Sequence, residues 1–190
     1  MLKNEGEASV DLKAEKEIVS MSGALGKDRI FNFDWNYNGT QMVTASQDKF
    51  IRVIDPRIKK EVVSKIEGHV TKKTSKVLWG GNKIISTGFG KGSNRQIIVI
   101  DERKMEPLKT LNVDIANGFF FSHYDEAISV LYVAGKGDAN VRMFEITNDE
   151  GVIHYLEQYT SPDPQVGVAF LPKTCTDIAG VEVNRMLKLH

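Results

Sequence analysis

Cysteine is nearly missing from this chain: Cys175 stands alone among 190 residues. One thiol cannot form an internal disulfide, so the fold must hold without covalent staples, and a reducing compartment is expected. An excess of either charge is lacking too. Twenty-five basic and 25 acidic residues cancel, which leaves no strong field to gather nucleic acid or an anionic membrane. No apolar run approaches the roughly 20 residues that span a bilayer. The opening Met1-Leu2-Lys3-Asn4-Glu5-Gly6-Glu7 has no apolar signal-peptide core. The expectation is a soluble cytoplasmic chain with no membrane span and no nucleic-acid partner.

Catalytic signatures are equally scarce. Gly90-Lys91-Gly92 and Gly135-Lys136-Gly137 each contain Gly-Lys, but neither continues with the Ser or Thr that a P-loop needs to hold magnesium, and neither opens a helix. Both read as turns between strands. His69, His123, His154 and His190 are scattered without metal-ligand spacing. No serine elbow and no Cys–His context is recognisable. No cofactor, no metal and no enzymatic activity are expected.

What the chain does have is a repeat. Ser46-Gln47-Asp48-Lys49-Phe50-Ile51-Arg52-Val53-Ile54-Asp55 reads as a turn followed by a strand, and Asn94–Asp101 and Asp138–Glu145 match it. The spacing is 46 residues from Asp48 to Asn94 and 44 from Asn94 to Asp138. A weaker echo of Arg142–Ile146 stands 43 residues on, at Arg185–Leu189. A period in the mid-forties, each unit ending in a strand behind a turn carboxylate or amide, marks an array of propeller blades. The fold class is therefore all-β, a WD-repeat β-propeller of about four blades' worth.

The units divide as 28–66, 67–113, 114–159 and an incomplete 160–190, after an N-terminal strand and connection over 1–27. In the first unit an aromatic strand (Ile30, Phe31, Phe33, Trp35) closes in the Asn38-Gly39 turn, where both residues tolerate positive φ. Strands over 41–45 and 49–54 follow, with Ile51 and Val53 on one face and Arg52 and Ile54 on the other. An outer strand over 61–66 bears Lys59, Lys60, Glu61 and Lys65 on or beside it, charges that discourage edge-to-edge pairing. The second and third units repeat this four-strand plan. The last shows three strands, and Ser9–Lys13 is in register for an outer strand of a preceding blade.

In WD-type repeats a Gly-His dipeptide, a Ser or Thr, a turn Asp and a strand Trp form a buried hydrogen-bonded chain. Here Gly68-His69 is the one Gly-His, the turn position holds Asp48, Asn94 and Asp138, and the Trp-Asp pair has become Ile54-Asp55, Ile100-Asp101 and Phe144-Glu145. The tetrad is degenerate in every unit, so apolar packing between blades must carry more of the fold. His69 reads as structural. On the surface, Lys72, Lys73 and Lys76 cluster after the Gly-His turn, with Lys91 and Arg95 in the neighbouring long loop. Such a basic patch could dock an acidic protein surface.

Particular words then recur in order: Phe33-Asp34-Trp35-Asn36, Asp48-Lys49 with Ile51–Arg57, Thr87-Gly88-Phe89, Gly135-Lys136-Gly137-Asp138 with Phe144-Glu145-Ile146-Thr147, and Lys188-Leu189-His190. Across residues 28–190 the chain resembles the C-terminal half of a coronin propeller. That resemblance implies a regulator that binds actin filaments through a seven-bladed propeller, at the cytoskeleton and cell cortex, and recruits branching or severing factors. The family's coiled coil and first three blades fall outside this sequence, and so does its main actin-contacting arginine. The basic cluster Lys72, Lys73, Lys76, Lys91 and Arg95 is then a candidate secondary contact. Two copies could complete one ring as a homodimer, with Ser9–Lys13 of one finishing the last blade of the other. A generic WD-repeat scaffold for assembling protein complexes is the alternative.

Overall fold

In the computed structural model, which describes residues 7–11, 16–21, 28–58, 62–177 and 179–190, regular structure is almost entirely strand. Three four-stranded antiparallel sheets follow one another. The first contains β3 (Ile30–Trp35), β4 (Met42–Ser46), β5 (Phe50–Ile54) and β6 (Val62–Glu67). The second contains β7 (Lys76–Gly80), β8 (Lys83–Phe89), β9 (Asn94–Asp101) and β10 (Glu106–Ile115). The third contains β11 (Phe120–Asp125), β12 (Val130–Gly135), β13 (Asn140–Ile146) and β14 (Ile153–Thr160). Each sheet is a meander in sequence order. The chain divides into two compact units, Met1–Ile115 and Ala116–His190.

Burial grades across each sheet, and the sequence explains the grading. Every residue of β4 and β8 is buried, which apolar cover on both faces requires. The outer strands are largely exposed and correspondingly polar: β14 buries only Ile153. In β9 the run Ile97-Ile98-Val99-Ile100 is buried throughout, and branched side chains suit such a pleated, doubly covered surface. The turns use the residues they need. Gly39, Gly81 and Gly137 all have positive φ, at 62°, 61° and 84°, where a Cβ would be strained.

Two sequence expectations are corrected. The strand expected at 9–13 lies at β1 (Glu7–Asp11), and it pairs with a second strand, β2 (Lys16–Met21), where only a charged connection was expected. Lys13, like Lys59, Lys60 and Glu61, lies outside the described residues. The last unit holds two described strands, not three: β15 (Gly167–Phe170) paired with β16 (Met186–Leu189). The echo of β13 at Arg185–Leu189 therefore marks a second strand, whereas β13 is a third. The echo records apolar alternation only, not rank in the sheet or burial: Phe144 and Ile146 are buried, whereas Leu187 and Leu189 are exposed. The segment between the two strands contains a short 3-10 turn at Lys173–Cys175. It is pinned by Lys173, whose Nζ lies 2.5 Å from the buried Asp125 carboxylate and donates to the Val183 carbonyl.

Within the first unit, the two sheets meet through a core of Val43, Ala45, Ile51, Val53, Val77, Trp79, Ile84, Ile98 and Ile100. Each such side chain contributes about 1.5–3 kcal/mol by burial. Polar bonds fix the register above that core. Asn32 Oδ1 accepts from Val77 N at 2.9 Å and Asp34 Oδ2 from Trp79 N at 2.8 Å.

Candidate partner-binding surface

The basic surface is built on His69. Its ring is buried, and Nε2 lies 3.1 Å from Ser86 Oγ on β8. Gly88 faces the ring so closely that a Cβ there would meet it at 2.5 Å. Burial pushes the imidazole pKa down to about 4, against the opposing contacts of Ser86 and Gln96, so the ring is neutral near pH 7. It is an anchor for the connection to β7. From that connection Thr71 Oγ1 donates to the Phe89 carbonyl at 3.1 Å. Lys73 Nζ lies 4.8 Å from the centre of the Phe89 ring and donates to Ser93 Oγ at 2.9 Å. The loop at 68–75 and the 3-10 turn at Lys91–Ser93 therefore adjoin.

The structure sorts the five cationic candidates unequally. Lys72, Lys73 and Lys91 are exposed on the two adjoining loops. Lys76 is half-buried at the start of β7, where burial lowers its pKa. Arg95 is 2% exposed, and its Nε and NH2 donate to the two Asp114 oxygens, each at 2.5 Å. Its guanidinium is a buried cross-strand clamp between β9 and β10. Sequence alone could not separate it from Lys91, because the neutralising carboxylate sits 19 residues on.

The turn positions also diverge. Asp48 accepts from Ser46 Oγ, from Phe50 N at 3.0 Å and from Arg52. Burial opposes ionisation there, but the bonds from Arg52, Ser46 and Phe50 outweigh it and hold the carboxyl below its ordinary range. Asn94 works through its backbone, which accepts from Gly90 N at 2.8 Å. The Asp138 carbonyl accepts from Gln165 N at 2.9 Å. Gln165 escaped the sequence reading. It is fully buried and its Nε2 donates to the carbonyls of Gly135 and Asn140, at 2.9 and 2.8 Å. Its one sequence signal is its place just ahead of β15, as His69 precedes β7.

Neither Gly-Lys-Gly turn opens an α-helix: the first runs into the short 3-10 turn at Lys91–Ser93, and strands β9 and β13 follow. Among the described residues no group of three or more His, Cys, Asp or Glu could hold a metal ion, and no helix is long and apolar enough to cross a membrane.

No family model matches the chain. Coronin-A of Dictyostelium discoideum is 38% identical over 175 residues, 92% of this chain and 39% of the relative. A coronin-like protein of Schizosaccharomyces pombe is 40% identical over 187 residues, 96% of this chain and 29% of the relative. The WD40 domain of Toxoplasma gondii coronin superposes with a TM-score of 0.87 at 26% identity, over 96% of this chain and 47% of that one. The chain belongs to the coronin WD-repeat propellers. It spans well under half the length of these coronin relatives. A chain from a mitotic checkpoint complex structure, 16% identical with a TM-score of 0.67, shares the fold alone.

A recess in these coronin blades lies inside the second unit. A groove of about 220 Å³ is lined by Tyr132, Val141, Met143, Tyr159, Phe170 and Met186, among others. Tyr132 and Phe170 in that lining have ring centroids 5.1 Å apart, and His123 stacks on Phe170 with centroids 4.4 Å apart and planes 10° apart.

Proposed function

We propose that this coronin segment contributes an actin-filament-binding surface, docking through its blades without catalysis, in the cytoplasm at the cell cortex. The observation that carries the reading is identity to coronins across 92–96% of the chain. The exposed lysines Lys72, Lys73 and Lys91 support it, because they gather on two adjoining loops held by His69 and the Lys73–Ser93 bond. Such a patch would speed encounter with an acidic surface and lose effect with salt. Arg95 and Lys76 drop out of the proposed contact. Recruitment of branching or severing factors belongs to the same reading.

Cosedimentation with actin filaments across a salt series tests it. The intact chain should pellet with filaments and weaken as salt rises. Charge reversal at Lys72, Lys73 and Lys91 together should lower affinity about tenfold. A chain that stays in the supernatant at low salt would favour a general WD-repeat scaffold instead.

A further inference from the structure

The lysine surface holds one polar group that docking itself leaves unused. Ser93 closes the 3-10 turn at Lys91–Ser93, and its Oγ, on a partly exposed side chain, accepts from Lys73 Nζ at 2.9 Å. Neighbouring hydroxyls serve the fold instead: Thr71 Oγ1 donates to the Phe89 carbonyl, and Ser75 is buried. Gly92 and Ser93 both occupy the left-handed region, with φ at 66° and 62°. Glycine takes that conformation freely, whereas serine holds it only at a cost. None of the three turn residues is buried, so the turn can open into an extended form without loss of core packing. Lys91 stands two residues ahead of Ser93, and Arg95 two behind is already neutralised by Asp114. The free cations around this hydroxyl are therefore Lys73 itself, Lys91 on the same turn and Lys72 on the adjoining loop.

We propose that Ser93 is a phosphorylation site whose phosphate switches this lysine surface off; the switching role rests on the docking reading above. In the step, Ser93 Oγ attacks the γ-phosphorus of a nucleoside triphosphate held by a protein kinase. The hydroxyl proton passes to a base of the kinase. The bond from the γ-phosphorus to its bridging oxygen breaks, and the nucleoside diphosphate leaves. The ester brings about 1.5–2 negative charges at neutral pH and three strong acceptor oxygens. Lys73 already reaches the Ser93 oxygen, so its ammonium group donates charge-assisted bonds to the phosphate. The charge of Lys72, Lys73 and Lys91 together with the ester falls from roughly +3 to roughly +1. An acidic partner then loses most of its attraction to the surface. Lys91 marks the enzyme as one whose substrate groove is acidic where it takes the second residue ahead of the serine.

The intact chain is incubated with magnesium ATP and a serine kinase that selects a basic residue two positions ahead. Mass spectrometry should place phosphate on Ser93, and Ser93→Gly, which suits the left-handed φ, should lose that label. Phosphoserine installed at position 93 during translation supplies the uniform product. Its phosphorus NMR signal should titrate at lower pH than that of a phosphopeptide of residues 88–97, because the lysines favour the dianion. Binding to actin filaments and to fluorescent poly-glutamate should each weaken about fivefold at low salt. The difference should close as salt rises, and Ser93→Gly should bind both probes like the parent. A chain unlabelled at Ser93 overturns the proposal. So does a phosphoserine signal that titrates as the peptide's does, or equal binding of poly-glutamate by both forms. If the parent misses filaments while poly-glutamate still separates the two forms, filament docking falls, whereas phosphorylation and charge neutralisation at Ser93 stand.

Discussion

The two sheet junctions, one inside each unit, solve the same packing problem with different chemistry. In the first unit, Asn32 and Asp34 of β3 reach across to backbone N–H groups of β7, above a core of nine apolar side chains. In the second, β11 and β15 meet through the His123–Phe170 stack, with Gln165 tying the connection to the β12–β13 turn. The first junction relies on area and the second on a few specific contacts. A repeat that has lost its Trp-Asp pairs can thus keep its geometry without one shared substitute. Wherever the hydrogen-bonded chain of the WD repeat has decayed, local packing replaces it with whatever the neighbouring sheet supplies.

The largest effect should come from the apolar junction. Ile100 is fully buried there, and Ile100→Ala removes its packing and leaves a cavity, at a cost of about 4 kcal/mol. Both tryptophans, Trp35 and Trp79, lie in the first unit, so a urea titration followed by their fluorescence reads this loss directly. A shift under about 1 kcal/mol would mean that area does not hold the first junction.

Acid should be the next strongest probe, and it also acts on the first unit. The folded pKa of His69 lies below its unfolded value of 6.5, at about 4. Its contribution is therefore complete above about pH 6.5, falls as pH drops, and levels off below about pH 4, where both states are protonated. The expected loss by pH 5 is about 2 kcal/mol. Asp48, held below the ordinary 3.8, costs stability only in a lower pH range, so the two windows separate. The tryptophan-monitored urea midpoint should fall between pH 7 and pH 5 in the parent chain, and stay nearly level in His69→Asn. Parallel curves for both chains would remove His69 from the account.

How far the sequence could be read follows the same division. The strands of the three full sheets were legible because branched aliphatics and turn residues such as Asn38-Gly39 act locally. The apolar faces of β5 followed from simple alternation. What escaped depended on strand register. Arg95 looks like a surface cation until pairing brings Asp114 opposite it. Asp34 looks like one more polar residue until β7 lies beside β3. Arg185–Leu189 resembles Arg142–Ile146, yet only pairing with β15 reveals a second strand. The Asp125–Lys173 contact that pins the connection between β15 and β16 spans 48 residues and leaves no local trace.

The smallest effect tests the polar side of the comparison. Gln165→Leu keeps the side chain's size in a fully buried position but withdraws the donor from two carbonyls. Part of that loss is offset, because Gln165 Oε1 is itself buried without a hydrogen-bond partner among the described residues, and the substitution removes that unpaired oxygen too. The net cost should be about 1.5 kcal/mol. Hydrogen exchange gives the sharper readout: amides of β15 and of the β12–β13 turn, including Gly137 N, which donates to the Gln165 carbonyl at 2.7 Å, should lose protection. The tryptophan-monitored midpoint of the first unit should stay unchanged, since its own junction is untouched. If instead that midpoint moved as far as the second-unit amides, the two junctions would be stabilising each other, and the contrast between packed area and specific contact would have to be drawn for the chain as one cooperative body.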